Sequence, residues 1–201
     1  MKLRPSVVSA DYVQGSFDLL PGAHDRARAA LYFSVLIGSK SFEGDMESSR
    51  WHLRAALSEF RSIFDLLNGD LKTLGLHTQW DRSTYKQQME SDSIVAVLRK
   101  VRDFAIHSKT IVGSAKTFGI SSLDSGAASG DMPGIVIEPV DRKAFALAGG
   151  KDELSKFDDD TLREFNEQAS CWPADMLIHI AVYRTSEYLS AFLNANGKVG
   201  V

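Results

Sequence analysis

The sequence predicts a mainly α-helical protein, an up-and-down helical bundle that carries a small β-hairpin insertion. Several segments repeat apolar residues at intervals of three and four positions over consecutive turns, which is the helical period. A single later segment, residues 134–140, is rich in β-branched residues and bounded by glycine and proline. The 201 residues, 44% of them hydrophobic, suit one domain with a full core. We therefore expect a single helical domain over residues 1–201, with a loop and hairpin insertion at about 112–150.

The first predicted helix runs from about Asp25 to Ile37. Residues 1–22 contain repeated prolines and glycines and are expected to be irregular. The helix itself is apolar on most sides, which predicts a position near the centre of the fold. Gly38 is expected to end it.

The second predicted helix runs from Asp45 to Asn68 and has the clearest pattern. The pair Asn68-Gly69 is expected to end it, because both residues tolerate a left-handed backbone. Its apolar stripe comprises Leu53, Ala56, Leu57, Phe60, Ile63, Phe64 and Leu67.

The third predicted helix starts near Asp92 or Ser93, either of which can cap it. Residues 69–90 before it are polar and are expected to form a connection with helical turns around residues 85–89. The apolar stripe of the third helix comprises Ile94, Val97, Leu98, Val101, Phe104 and Ala105. Arg102, Asp103 and His107 fall beside or opposite this stripe.

The composition changes after Ile111. Residues 121–134 are rich in glycine and serine and are expected to form a mobile loop. Residues 134–140 are expected to form a strand, with residues 143–149 as its hairpin partner.

Helical pattern returns near Asp160, after three adjacent acids that favour a helix start. Pro173 is expected to open or kink the last helix, which Gly197 follows.

Composition also limits the functional classes. The net charge of −3 argues against a general nucleic-acid or membrane binder, and no apolar run is long enough to span a membrane. Cys171 is the only cysteine, which excludes an internal disulfide and fits a cytoplasmic location. Nucleotide-binding, metalloprotease and serine-hydrolase motifs are absent, and no cofactor or metal is expected. We expect Cys171 to be a small buried residue and His179 to be a core histidine with satisfied hydrogen bonds.

Arg102, Asp103 and His107 form the candidate catalytic group. An arginine holds a phosphate through paired N–H donors, and a histidine moves protons near neutral pH. Asp103 lies one turn before His107, where its carboxylate can orient the imidazole. Together these groups suit metal-free cleavage of RNA, in which the 2′-hydroxyl supplies the nucleophile. The alternative is that Arg102 and His107 are simply polar residues on the solvent side of a helix.

The charge distribution favours the catalytic interpretation. Residues 97–116 contain five basic residues and one acid, a balance of +4. Residues 151–167 contain three basic residues and seven acids, a balance of −4. An acidic protein thus has one basic segment around the candidate site, where Arg99, Lys100 and Lys109 are expected to bind flanking phosphates.

Cleavage needs both a proton acceptor and a proton donor, and each chain supplies one histidine here. A two-fold axis would bring a second copy into the same cleft. The mechanism therefore predicts a homodimer in which the ends of the third helix face each other.

The segment Arg102-Asp103-Phe104-Ala105-Ile106-His107 resembles the Rx4–6H motif of the HEPN superfamily. HEPN proteins are helical bundles, usually dimeric, and many are metal-independent ribonucleases of toxin–antitoxin and defence systems. The resemblance implies Arg102 and His107 as catalytic residues and Asp103 as their polar helper. It also implies an RNA substrate and allows an antitoxin or another protein as a partner.

Two other functions remain open. The chain can be a non-catalytic helical module that binds a protein through the glycine- and serine-rich loop and the 135–148 hairpin. It can also be a bundle that binds a small molecule in a pocket lined by Trp51, Phe60 and Tyr188, although a core is the simpler use of these rings.

Overall fold

The computed structural model describes residues 17–107, 113–120, 130–141 and 157–198. Within these ranges the chain forms a helical bundle with one antiparallel β-hairpin, which confirms the predicted fold class. The elements are α1 (Pro21–Phe42), α2 (Met46–Thr73), α3 (His77–Asp81), α4 (Thr84–Ser91), α5 (Ser93–His107), β1 (Gly113–Ile120), β2 (Gly130–Ile137), α6 (Asp159–Cys171) and α7 (Ala174–Ala195).

Helices α1 and α2 form a closely packed hairpin. The buried face of α1 consists mostly of small side chains, which let the two backbones approach each other: Ala23, Ala27, Ala30, Ser34, Ile37 and Ser41. At the connection between the helices, Ser41 Oγ lies 3.1 Å from Ser49 Oγ. At the other end, the Asp70 carboxylate accepts a hydrogen bond from the Ala23 N–H at 2.8 Å. Polar contacts thus fix both ends of a hairpin whose middle is apolar.

Helix α5 occupies the centre of the bundle. Residues 93–98 are buried without interruption, so the first turns of α5 are enclosed on all sides. The helix packs against α2, α4, α6 and α7. The buried rings of Trp80 and Phe192 also belong to the core, and they meet edge to face with centroids 5.0 Å apart.

The β-hairpin packs onto the bundle rather than projecting from it. Strands β1 and β2 pair from Gly113 opposite Ile137 to Ile120 opposite Gly130. Residues 135–137 of β2 are buried, and β2 contacts α1, α6 and α7. On β1, Lys116 Nζ donates to the Ser170 carbonyl at 2.7 Å, which ties the hairpin to the end of α6.

Two predicted helix ends are wrong. Helix α1 begins earlier than predicted and continues through Gly38 to Phe42. Gly38 serves packing: a Cβ there would lie 2.9 Å from Asp175 Oδ2 on α7. Helix α2 continues through Asn68 and Gly69 to Thr73, and the chain turns at Gly75, whose φ is 70°. The continued burial of Leu71 outweighs the local preference for a helix end.

The predicted central position of the first helix is also wrong. Tyr32, Val35 and Phe42 on the outer face of α1 are 62%, 37% and 52% exposed. An apolar helix usually predicts burial on all sides. Here α5 takes the central position, and α1 leaves an apolar face at the surface.

The predictions for the connections are mixed. The polar segment 69–90 is more helical than expected, because it contains the end of α2, all of α3 and most of α4. The strand within residues 134–140 is confirmed, but it begins at Gly130 and its partner is β1. Residues 143–149, the expected partner, and residues 121–129 of the expected loop lie outside the described residues. The predicted cap at Asp92 is confirmed, and Asp45 and Asp158 also cap α2 and α6 close to the predicted starts of these helices.

Two glycines in helix interiors provide a test of this packing. Gly69 has open space where a Cβ would be added, so Gly69→Ala should raise the free energy of unfolding by about 0.5–1 kcal/mol. Gly38→Ala should gain less or lose stability, because the Asp175 carboxylate must move. Urea unfolding of both variants measures the difference, and an equal gain at both sites would contradict the close approach of α1 and α7.

Candidate functional site

The predicted catalytic residues all lie on α5. The helix is continuous from Ser93 to His107, and its side chains are described as far as Val101. Positions 103 and 107 are therefore one turn apart along a single helix. Position 102 lies five residues before 107, which corresponds to roughly 7.5 Å along the axis and about 140° around it. Lys109, a predicted RNA-binding residue, lies outside the described residues.

The other two predicted RNA-binding residues, Arg99 and Lys100, are both partly buried. The Arg99 guanidinium lies over the Phe64 ring of α2, with 4.6 Å from Cζ to the ring centroid. Arg99 is half-buried, so part of its side chain contributes to helix packing through a cation–π contact. Lys100, also partly exposed, follows it on the same turn.

The start of α5 is fixed by the Asp92 carboxylate. Asp92 Oδ1 accepts hydrogen bonds from the N–H groups of Ile94 and Val95, both at 3.1 Å, which caps the helix. The same carboxylate accepts from Arg184 Nη1 at 3.0 and 3.2 Å and from the Tyr188 hydroxyl at 3.1 Å. One nearly buried carboxylate therefore joins the first turn of α5 to α7.

The protonation state of Tyr188 favours its hydrogen bond to Asp92. Burial raises the pKa of the Tyr188 hydroxyl, and the neighbouring Asp92 charge and the hydrogen bond to it act in the same direction. The hydroxyl thus stays protonated and keeps donating to the carboxylate. Sequence reasoning identified Asp92 as a cap but missed Arg184 and Tyr188, because their distance along the chain gives no local signal.

The other end of α5 points towards the β-hairpin. Helix α5 begins beside Arg184 at the middle of α7 and Tyr188 in its C-terminal half, whereas β1, which starts six residues after His107, contacts Ser170 just before α7 starts. Helix α5 thus runs from the C-terminal half of α7 towards its beginning. The backbone positions of Arg102, Asp103 and His107 lie at the hairpin end of the bundle, beyond the enclosed first turns.

Two titratable side chains on α7 face the interior without a charged partner among the described residues. His179 is 7% exposed, and its buried Nδ1 has no hydrogen-bond partner in the described part of the chain. Burial lowers the pKa of its imidazole. One turn earlier, burial raises the pKa of the Asp175 carboxyl, against the opposing effect of the N–H groups of Asp175 and Met176. The expectation of a core histidine is confirmed, but that of satisfied hydrogen bonds is wrong.

The predicted buried cysteine and the predicted aromatic pocket both differ from the structure. Cys171 is exposed at the end of α6, so the prediction of a buried cysteine is wrong. Trp51 is 65% exposed, Phe60 is fully buried, and Tyr188 bonds to Asp92. These three rings occupy different environments, which does not favour a shared ligand pocket.

The described residues contain neither a metal site nor a membrane-spanning helix. Within the described residues, no three metal-ligating side chains are grouped so that they could hold an ion. No helix there is long and apolar enough to cross a membrane.

No protein-family model matches the chain, and searches of curated proteins and of solved structures find no significant match either.

Replacing Asp92 tests whether one carboxylate holds the central helix. We expect Asp92→Ala to lower the free energy of unfolding by about 2–4 kcal/mol, because it removes a cap and leaves Arg184 without its partner. Tyr188→Phe should cost about 0.5–1.5 kcal/mol, the value of one hydrogen bond. The matched control is Asp65→Ala, which breaks a surface pair with Arg61 and should change stability by less than about 1 kcal/mol. Denaturant unfolding that gives equal losses for Asp92→Ala and Asp65→Ala would refute the assignment.

His179 should make folding sensitive to acid. Because the pKa of its imidazole is lowered in the folded state, the unfolded chain binds the proton more readily. The stabilising effect is therefore present above about pH 6.5, the ordinary histidine value, and is lost as the pH falls through the lowered folded value. His179→Phe should reduce the loss of thermal stability between neutral pH and pH 5, measured by circular dichroism melts. An equal loss of thermal stability in the parent and in His179→Phe would contradict this assignment.

Proposed function

We propose that this chain is a HEPN-like, metal-independent endoribonuclease that cleaves RNA at a site formed by two copies of α5. The observation that carries the proposal is the unbroken helix Ser93–His107, which keeps the Arg102, Asp103 and His107 positions on one rigid element. The helical bundle agrees with the fold that the motif resemblance implies. The fixed start of α5 adds a reason why its end can be positioned reproducibly.

The proposed reaction uses the substrate's own 2′-hydroxyl as nucleophile. One His107 accepts the 2′-hydroxyl proton as the oxygen attacks phosphorus, while the P–O5′ bond breaks. The second His107, from the partner chain, donates a proton to the departing 5′-oxygen. The products are a 2′,3′-cyclic phosphate and a 5′-hydroxyl. Arg102 binds the phosphate oxygens as negative charge builds up on them, and Asp103 orients the imidazole.

The dimer is part of the proposal because one chain provides one histidine at this place. A two-fold axis near the end of α5 would supply the second proton-transfer group and double the basic charge. Arg99, Lys100 and Lys109 would then contact the RNA on either side of the cleaved bond. Arg99 would do so with the part of its guanidinium that does not cover Phe64.

The same resemblance suggests a biological role as a toxin or defence protein in the cytoplasm. A ribonuclease of this kind is commonly restrained by a partner, so an antitoxin or another protein is included in the proposal. Neither a cofactor nor a metal is required by the chemistry described here.

The second candidate function is a non-catalytic module that binds a protein. The observation that favours it is the exposure of large apolar side chains on α1 and α2, including Tyr32, Phe42 and Trp51. The hairpin is less suitable as the contact surface, because residues 135–137 are buried against the bundle. Deleting the hairpin would damage the core, so this alternative is better tested with substitutions on the outer faces of α1 and α2.

Cleavage of RNA by purified variants tests the proposed function. We expect His107→Ala and Arg102→Ala each to reduce the cleavage rate at least about 100-fold, because each removes a group that acts in the transition state. Asp103→Asn should have a smaller effect, since Asp103 acts through the imidazole. The parent protein should keep its activity in EDTA.

Matched controls make this result specific. His77→Ala and Arg82→Ala remove a partly exposed histidine and an exposed arginine that lie outside α5 and outside the basic segment, and both should cleave at the parental rate. Mass analysis of the products should show cyclic phosphate ends. A His107→Ala protein that cleaves as fast as the parent would refute the proposal.

A further inference from the structure

A band of aromatic and basic side chains crosses the outer surface of the α1–α2 hairpin, away from the candidate catalytic residues. We define this α1–α2 band by Arg28, Tyr32, Phe33, Trp51, His52 and Arg54. We propose that it is a secondary binding site for single-stranded RNA. The choice of RNA as ligand rests on the proposed function, but the site itself is argued from the side chains described below.

Three rings of the band, those of Tyr32, Phe33 and His52, form a chain of contacts between the two helices. Tyr32 and Phe33 meet edge to face, with centroids 5.5 Å apart. Phe33 stacks on His52 of α2 at 6.1 Å, with an angle of 22° between the ring planes. Trp51 precedes His52 and is 65% exposed, while Tyr32 is 62% exposed. The two most exposed aromatic side chains of the described residues thus flank a partly buried stack.

Large aromatic side chains that are grouped at a surface often mark a binding site. Exposed aromatic side chains provide platforms on which unpaired bases stack, and this stacking tolerates any base. The stack beneath them matters as well, because the contacts of Phe33 with Tyr32 and His52 limit the movement of these rings. A preorganised platform loses less entropy when a base binds.

Two arginines complete the band at its edges. Arg28 lies one turn before Tyr32 on α1, and Arg54 lies one turn after Trp51 on α2, so each arginine neighbours an exposed ring. Both are exposed, and neither forms an ion pair with a described residue. By contrast, Arg26 is neutralised by Asp25 at 2.6 Å and by Glu59 at 2.9 Å. Within the band the charged side chains are therefore these two arginines, while the acids nearest to Trp51, Asp45 and Glu47, lie outside it at the start of α2.

This combination favours a nucleic-acid strand over a protein as the occupant. A strand that crosses the hairpin from Arg28 to Arg54 places its phosphates near both guanidiniums and its bases against the rings between them. A protein would have to supply separate acidic groups at both edges. The band is therefore expected to raise RNA affinity, while the chemistry takes place at the end of α5.

Binding of a fluorescein-labelled oligouridylate of about 12 nucleotides, followed by fluorescence anisotropy, tests the proposal. The measurements use the His107→Ala protein, so that the probe is not cut. Tyr32→Ala and Trp51→Ala should each raise Kd about fivefold or more, whereas Tyr32→Phe and Trp51→Phe should bind nearly as the parent does. Arg54→Ala should weaken binding. It should also reduce the slope of log Kd against the logarithm of the salt concentration by about one.

Two exposed aromatic residues outside the band serve as matched controls. Trp172→Ala and Tyr183→Ala remove rings that are 43% and 40% exposed, and both should leave Kd unchanged. Circular dichroism melts check that each variant is folded. Parental affinity in Tyr32→Ala and Trp51→Ala would overturn the proposal, and so would an equal loss in the controls. If the band variants change the oligomeric state in light scattering but not RNA affinity, the surface binds protein and the proposal is wrong.

The result is separable from that for the catalytic site. Loss of cleavage in His107→Ala with unchanged RNA affinity in Trp51→Ala would retain the ribonuclease and eliminate the band. Suppose instead that Trp51→Ala loses RNA affinity and that neither the parent protein nor His107→Ala cleaves RNA. This result would retain the RNA-binding surface and eliminate the ribonuclease.

Discussion

The Asp92 carboxylate connects the first turn of α5 to α7, and the position of the central helix depends on this contact. It accepts two backbone hydrogen bonds, two contacts from Arg184 and one from Tyr188. A nearly buried carboxylate is costly unless its oxygens are satisfied. Here a cap, a guanidinium and a hydroxyl satisfy them together. The same atoms that start the helix therefore also hold it against its neighbour.

Helix α5 has two parts, and the first part is the one that Asp92 holds in place. Residues 93–98 are enclosed by other helices and belong to the core. The helix then continues beyond the enclosed turns to His107, at the end of the bundle where the hairpin packs. The residues suited to phosphate binding and proton transfer are all on the second part. If the proposed function is correct, the buried first turns of α5 would give the catalytic positions a rigid support.

How much could be predicted from the sequence depends on whether the signal was local. Three features could be predicted directly, because each depends on nearby residues: the apolar stripe of α2, the Asp92 cap of α5 and the strand near residue 135. The predicted helix end at Gly38 is wrong, since the role of this glycine comes from Asp175 on a distant helix. The partners of Asp92 and the exposure of Cys171 could not be read for the same reason. The candidate site itself was proposed from residue types on one helix, and the fold confirms the helix but not the chemistry.

The two proposed RNA contacts are also consistent with the low overall charge. A protein with a net charge of −3 cannot attract RNA over its whole surface. It would need restricted basic regions, and the two proposed regions are the end of α5 and the α1–α2 band. Helix α2 separates them: its outer face carries Trp51 and Arg54, and its inner face packs against α5. A long RNA could contact both, whereas a short one could contact either.

The central claim is that the ends of two α5 helices meet in a homodimer. Crosslinking tests it most directly, because Cys171 is the only cysteine and is exposed. In a Cys171→Ser background, His107→Cys places one thiol at the proposed meeting point, and Asp65→Cys places one at an exposed position on α2 as a control. A short bismaleimide should join two chains through position 107 and not through position 65. A monomeric protein, or a dimer that crosslinks at neither position or equally at both, would contradict the account.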